Sequence, residues 1–122
     1  MWPFQKSGDA GISFRRVDTD FATTGQILPT QLGDVAKAGF KSILCARPDN
    51  EEPGQPSFKI MSDAAKAAGL TAVHIPVSGQ LTEGALIRME QALATLPKPI
   101  LGYCRSGARA GSLYSAALKA AR

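Results

Sequence analysis

The stretch Pro97-Lys98-Pro99-Ile100-Leu101-Gly102-Tyr103-Cys104-Arg105-Ser106-Gly107-Ala108-Arg109 decides how this chain folds. Its two prolines stop the helix before them. Ile100 to Tyr103 then form a short apolar strand. A glycine-bearing turn follows, and a helix starts inside it and runs through Leu113, Ala116 and Leu118 towards the end. Strand, tight turn and helix N-terminus in direct succession place Cys104 at the carboxyl edge of a parallel sheet, where α/β folds bind their ligands.

Upstream, the same alternation recurs. Pro29 to Gly39 opens on proline and stops on glycine, the expected helix asymmetry, with Leu32, Val35 and Ala36 on one face. Phe40 to Ala46 reads as a buried strand, and Arg47 to Gln55, rich in Pro, Asp, Asn and Glu, as a loop. Ser57 to Ala68 carries Ile60, Met61, Ala64 and Ala68 at helical spacing, with Gly69 as its stop. Leu70 to Val77 is a strand, and Thr82 caps a further helix to about Leu96. Before all of these, Ile12 to Thr24 suggests two short strands broken at Asp18-Thr19-Asp20. The strands Ile43–Cys45, Ala72–Val77 and Ile100–Tyr103 are apolar enough to be buried on both faces. The expectation is an α/β fold with a mostly parallel central sheet flanked by helices, in one domain spanning residues 1–122.

Bulk composition narrows the function. With 44% apolar and 20% charged residues, a chain of 122 residues can bury a real core, which excludes disorder. No run approaches the ~20 apolar residues of a membrane helix, and Met1 to Lys6 lacks a secretory signal, so a cytoplasmic location and no membrane partner are expected. The net charge of +4 suits small anions, and its scattered basic residues argue against a nucleic-acid partner. Two distant cysteines make no disulfide framework, and a single histidine with no C-x-x-C pair makes no metal site. The chemistry read below calls for no metal and no cofactor.

That chemistry centres on Cys104. The backbone N–H groups of Arg105, Ser106, Gly107, Ala108 and Arg109 can curl around one point as an anion nest, to which the helix N-terminus adds its positive end. Gly107 permits the turn, and Arg109 can fold back as a charged fork over an oxyanion. Each feature favours thiolate over thiol. Cys104 is therefore the candidate nucleophile and Arg109 its catalytic partner. Arg47, at the same sheet edge, is a further candidate for binding an anionic substrate.

Tyr103-Cys104-Arg105-Ser106-Gly107-Ala108-Arg109 resembles the C-R-S-G-x-R active loop of rhodanese-type sulfurtransferases. The rest of the chain is similar to the phosphatase-like domain of the β-lactamase-hydrolase-like family, which has the dual-specificity phosphatase fold. The segments that carry this resemblance are Thr24-Gly25-Gln26, Ala38-Gly39-Phe40-Lys41-Ser42-Ile43, Arg47-Pro48-Asp49 through Gly54-Gln55-Pro56-Ser57, and Val73-His74-Ile75-Pro76-Val77. It covers the chain from about Phe14 onward. It also implies that a fused or partner domain of sulfur metabolism can accompany this one.

Two chemistries follow. Tyrosine phosphatases use H-C-x-x-G-x-x-R. Here Tyr103 precedes the cysteine, and Ala110 stands where that pattern has arginine, Arg109 arriving one residue early. A shorter loop suggests a smaller cradle, suited to sulfane sulfur. A phosphatase also needs an acid for its leaving group, yet Ser78-Gly79-Gln80-Leu81-Thr82-Glu83 offers only Glu83, whose plain role is at a helix N-terminus. Both departures favour a sulfurtransferase that forms a persulfide on Cys104 from a small anionic donor and passes it to a thiol acceptor. The alternative is a phosphatase with Cys104 as nucleophile and Arg109 as phosphate clamp. A third reading is a non-catalytic anion-binding or redox-sensing module.

Other residues read more plainly. Asp49, Glu51 and Glu52 could serve as acids, but a solvated loop explains them. Cys45 could resolve an oxidised Cys104, though burial suffices. His74 reads as a strand residue with a hydrogen-bond partner, and Ser106 either bonds the Cys104 sulfur or shapes the turn.

Overall fold

Burial alternates along Ile12–Arg16, with Ile12 and Phe14 facing inward and Ser13 and Arg15 outward, as in a strand with one covered face. The turn after it is tied by Asp18, whose Oδ1 accepts from the N–H groups of Asp20 (2.8 Å) and Phe21 (3.0 Å). The computed structural model describes residues 4–7, by their backbone, and 11–121. Residues 1–3, 8–10 and 122 lie outside the described residues, and with them the first half of the Met1 to Lys6 stretch discussed above.

The described elements run β1 (Phe4–Ser7), β2 (Ile12–Arg16), β3 (Phe21–Thr24), a 3-10 turn (Pro29–Gln31), α1 (Leu32–Lys37), β4 (Ser42–Cys45), α2 (Phe58–Ala67), β5 (Thr71–His74), α3 (Glu83–Thr95), β6 (Ile100–Tyr103) and α4 (Ala108–Ala120). They form a six-stranded sheet in the order β1-β2-β3-β6-β4-β5. β1, β2 and β3 pair antiparallel, whereas β3, β6, β4 and β5 run parallel. The expected α/β fold is therefore present, with an antiparallel ribbon on one edge. β1 lies outside the expected elements.

Helices cover both faces. Ile43, Leu101 and Tyr103 pack with Leu32, Val35, Met61 and Ala65 on the face of α1 and α2. Leu44, Ile100 and Cys104 pack with Met89, Ala92, Leu113 and Ala117 on the face of α3 and α4. Each large apolar side chain so buried contributes roughly 1.5–3 kcal/mol. β4 and β6 are buried throughout. β5 differs from the expectation because it is the sheet edge, with Thr71 exposed and Ala72 to His74 half-buried. Its extended course continues past His74, as Ile75 N–H donates to Cys45 O and Val77 N–H to Ala46 O, both at 2.9 Å.

The caps fall as expected. Ser57 accepts from Ile60 N–H ahead of α2, and Thr82 from Ala85 N–H ahead of α3. Because the four parallel strands point the same way, the segments after β3, β4 and β6 meet at one edge, with Val77 alongside.

Candidate active site

Gly107, at φ +96°, turns the chain from β6 into α4. A Cβ there would sit 3.2 Å from Thr24 O, so this position needs both the left-handed backbone and the missing side chain. The turn brings Gly107 N–H to 3.0 Å from Cys104 Sγ. Burial alone would raise the Cys104 thiol above its ordinary value. Backbone N–H groups of Ala110, Ser106, Arg109 and Gly107 outweigh burial, and the net effect is a thiol held below that value. The Arg109 guanidinium and the Cys104 thiolate also favour each other's charged forms.

Arg109 is itself engaged. Its Nη1 and Nη2 donate to Glu51 Oε2 (2.6 Å) and Oε1 (2.8 Å), and Nη1 also donates to Val77 O at 3.0 Å. Glu51 Oε1 accepts from Arg47 Nε at 2.8 Å as well. Held first by Arg109 and then by Arg47, the Glu51 carboxyl is lowered to about 2.

Arg47 stands at the expected edge, but its side chain is only 1% exposed and its nitrogens are taken by Glu51, Glu52 and Gln26. In this arrangement it organises carboxylates and offers no free fork to an anion. Arg105 is exposed and pairs loosely with Glu52 at 3.7 Å. The N–H of Ala108 donates to Ser106 Oγ at 3.2 Å, so that hydroxyl shapes the turn.

Two contributors and one pairing escaped the sequence reading. Ala110 supplies a backbone donor to the sulfur beyond the end of the quoted loop. Gln26 N–H donates to Arg105 O at 3.4 Å, and a Cβ on Gly25 would stand 2.9 Å from that oxygen, so the segment after β3 buttresses the loop. The pairing is that of Glu51. Its partner Arg109 lies 58 residues away, so no local spacing signals the pair.

The other candidates take quieter places. Cys45 belongs to the core of α1 and α2, on the opposite sheet face from Cys104, and burial raises its thiol. A resolving role would have to cross the sheet. His74 Nε2 lies 2.8 Å from Arg47 O, and its ring stacks on Phe58 at 4.6 Å. Glu83 sits in the first turn of α3, its expected place.

Residues 13–121 match the family model described as Beta-lactamase hydrolase-like protein, phosphatase-like domain. A Beta-lactamase hydrolase-like protein of Agrobacterium fabrum (strain C58) is 39% identical over 100 residues, 81% of this chain. This chain spans only 23% of the length of that relative. Among solved structures, a candidate phosphatase of Neisseria meningitidis superposes with a TM-score of 0.74 at 30% identity, covering 81% of this chain and 71% of its own. The core catalytic domain of a PP-IP phosphatase from S. cerevisiae shares the fold, with a TM-score of 0.63 at 21% identity over 87% of this chain and 64% of its own.

These likenesses correct the expectation of a rhodanese-like sulfurtransferase with a Cys104 persulfide: the chain has the fold of cysteine-dependent phosphatases. The physical error lay in judging the cradle by the Cys-to-Arg spacing. Backbone N–H groups from Ser106 to Ala110, not the arginine position alone, favour the Cys104 thiolate, so that spacing does not decide the chemistry. As for location, no helix among the described residues is long and apolar enough to cross a membrane. With its sequence matched from residue 13 to 121 and its fold shared with phosphatases, the chain belongs to the family of the phosphatase-like domain of Beta-lactamase hydrolase-like proteins.

Proposed function

We propose that this chain is a cysteine-dependent phosphatase acting on phosphate monoesters through a phosphocysteine intermediate. The observation that carries this reading is the turn that sets Gly107 N–H 3.0 Å from Cys104 Sγ at the start of α4, where backbone N–H groups hold the thiol below its ordinary value. A lowered thiol pKa supplies the nucleophile. The same donors suit the equatorial oxygens of a transferring phosphoryl group, where preorganised dipoles count most. In this reading Cys104 attacks phosphorus, Arg109 clamps two oxygens, and water then hydrolyses the thiophosphate. Ser106 and Gly107 present cradle N–H groups, and Ala108 extends the helix N-terminus behind them. Arg105, exposed at the rim, meets the substrate side, and Arg47 acts only by holding the Glu51 and Glu52 carboxylates.

Phosphate release from aryl phosphate esters tests this, with wild type and Cys104→Ser compared and sulfate binding followed in both. Turnover in wild type alone, with sulfate bound by both, is the expected result. Sulfate binding without turnover in either would leave an anion-binding module and refute the enzyme.

A further inference from the structure

We infer that Glu51 is the leaving-group acid of this site and reaches that role by ion-pair exchange: an incoming oxyanion takes the Arg109 fork, and the displaced carboxylate takes up a proton. This rests on the phosphatase reading. A carboxylate in bidentate contact with a guanidinium fills the positions two phosphate oxygens would take. Glu51 does this to Arg109 at 2.6 and 2.8 Å, at the mouth of a cradle whose Cys104 has no exposed surface. A phosphoryl group can take the Nη1–Nη2 edge of this fork only if the pair opens. Both side chains are about a quarter exposed, at 25% and 27%, so they have room to part.

Arg47 keeps the released carboxylate near. Its Nε holds Glu51 Oε1 at 2.8 Å, and Gln26 and Glu52 fix its other nitrogens. The other carboxylates weighed as acids from the sequence are otherwise placed. Asp49 Oδ1 accepts from Phe58 N–H at 2.8 Å, Glu52 pairs with Arg47 and Arg105, and Glu83 lies in the first turn of α3. Among the described carboxylates, Glu51 is the one bonded to Arg109.

The charged groups facing Glu51 are Arg109, Arg47 and Glu52, with the Cys104 thiolate behind Arg109. Contact with Arg109 is the largest cause of its low pKa. Substrate removes that contact and sets a dianion beside the carboxylate, and both changes favour protonation. Cys104 Sγ then bonds phosphorus as the bond from phosphorus to the leaving oxygen breaks. The electron pair goes to that oxygen, and the Glu51 proton follows it. In the second half, water attacks phosphorus and gives a proton to the Glu51 carboxylate. The sulfur–phosphorus bond breaks, phosphate leaves, and the thiolate returns.

The first test measures sulfate binding by calorimetry near neutral pH in buffers of different ionisation heat, since sulfate itself does not titrate there. Wild type and Glu51→Asp should take up more protons per sulfate than Glu51→Gln, which retains Cys104 as the internal reference. The second follows hydrolysis of a series of esters with increasingly basic leaving groups. Glu51→Gln should lose roughly 10²–10⁴-fold with the most basic alkoxides and little with the best leaving groups. Equal proton uptake in all three proteins, or a loss uniform across the series, overturns this inference and leaves Glu51 as a residue that only orients Arg109. Wild type inert towards every ester, with its extra proton uptake intact, instead overturns the phosphatase reading and the acid role together.

Discussion

Cys104 has no exposed surface, and an isolated buried thiol would stay protonated. Four backbone donors reverse that tendency. The sequence reading reached this residue because cysteine, glycine and arginine crowd a strand-to-helix turn. It could not reach Glu51, which reads as one of several carboxylates in a polar loop until folding brings Arg109 to it. The pair carries its own pH signature. Glu51 is lowered from its ordinary 4.5 to about 2, so its stabilising contribution is full above about 4.5 and disappears as the pH falls towards 2. Urea unfolding of wild type and Glu51→Gln across that range is expected to show a wild-type advantage that shrinks on acidification. An advantage independent of pH would mean that the carboxylate pairs equally well in the unfolded chain.

The elements were legible where punctuation is strong. Pro29, Gly69, Thr82 and the Pro97–Pro99 pair sit at boundaries that the structure keeps. Phe4-Gln5-Lys6-Ser7 was missed as β1 because a four-residue segment with one apolar side chain gives no alternation to read. How the loops touch was equally hidden. Gly25 looks like an ordinary strand stop, yet its bare Cα lets the segment after β3 press against Arg105 O. Gly25→Ala would place a methyl 2.9 Å from that oxygen and push the catalytic loop aside. The expected outcome is a fall in kcat/KM of about 10–100-fold from misplaced donors, with a stability loss of about 1–3 kcal/mol. Kinetics and urea midpoints on the same preparation check it. Unchanged kinetics would show that the loop holds its shape without this buttress.

At the scale of the molecule, the alternation of helices and strands implied a parallel sheet, but strand order depends on pairings between distant segments. β6 lies between β3 and β4, so the last strand sits amid earlier ones and sets the catalytic loop between theirs. The last helix is tied back to the antiparallel ribbon: Tyr114 stacks on Phe21 at 4.2 Å, and its hydroxyl donates to Asp18 Oδ2 at 2.5 Å. Tyr114→Phe keeps the stack and removes the bond, so it should cost about 1.5–3 kcal/mol in urea unfolding. No change would show that Asp18 holds its turn without help from α4. The central claim is that Cys104 carries a phosphoryl group during turnover. The measurement that tests it most directly is the intact mass of the protein, acid-quenched within a turnover of an aryl phosphate, with Cys104→Ser alongside. A phosphoryl adduct on wild type, mapped to the peptide containing Cys104 and absent from Cys104→Ser, is the predicted result. Ester hydrolysis at full rate with no adduct, or hydrolysis that survives Cys104→Ser, would contradict the account.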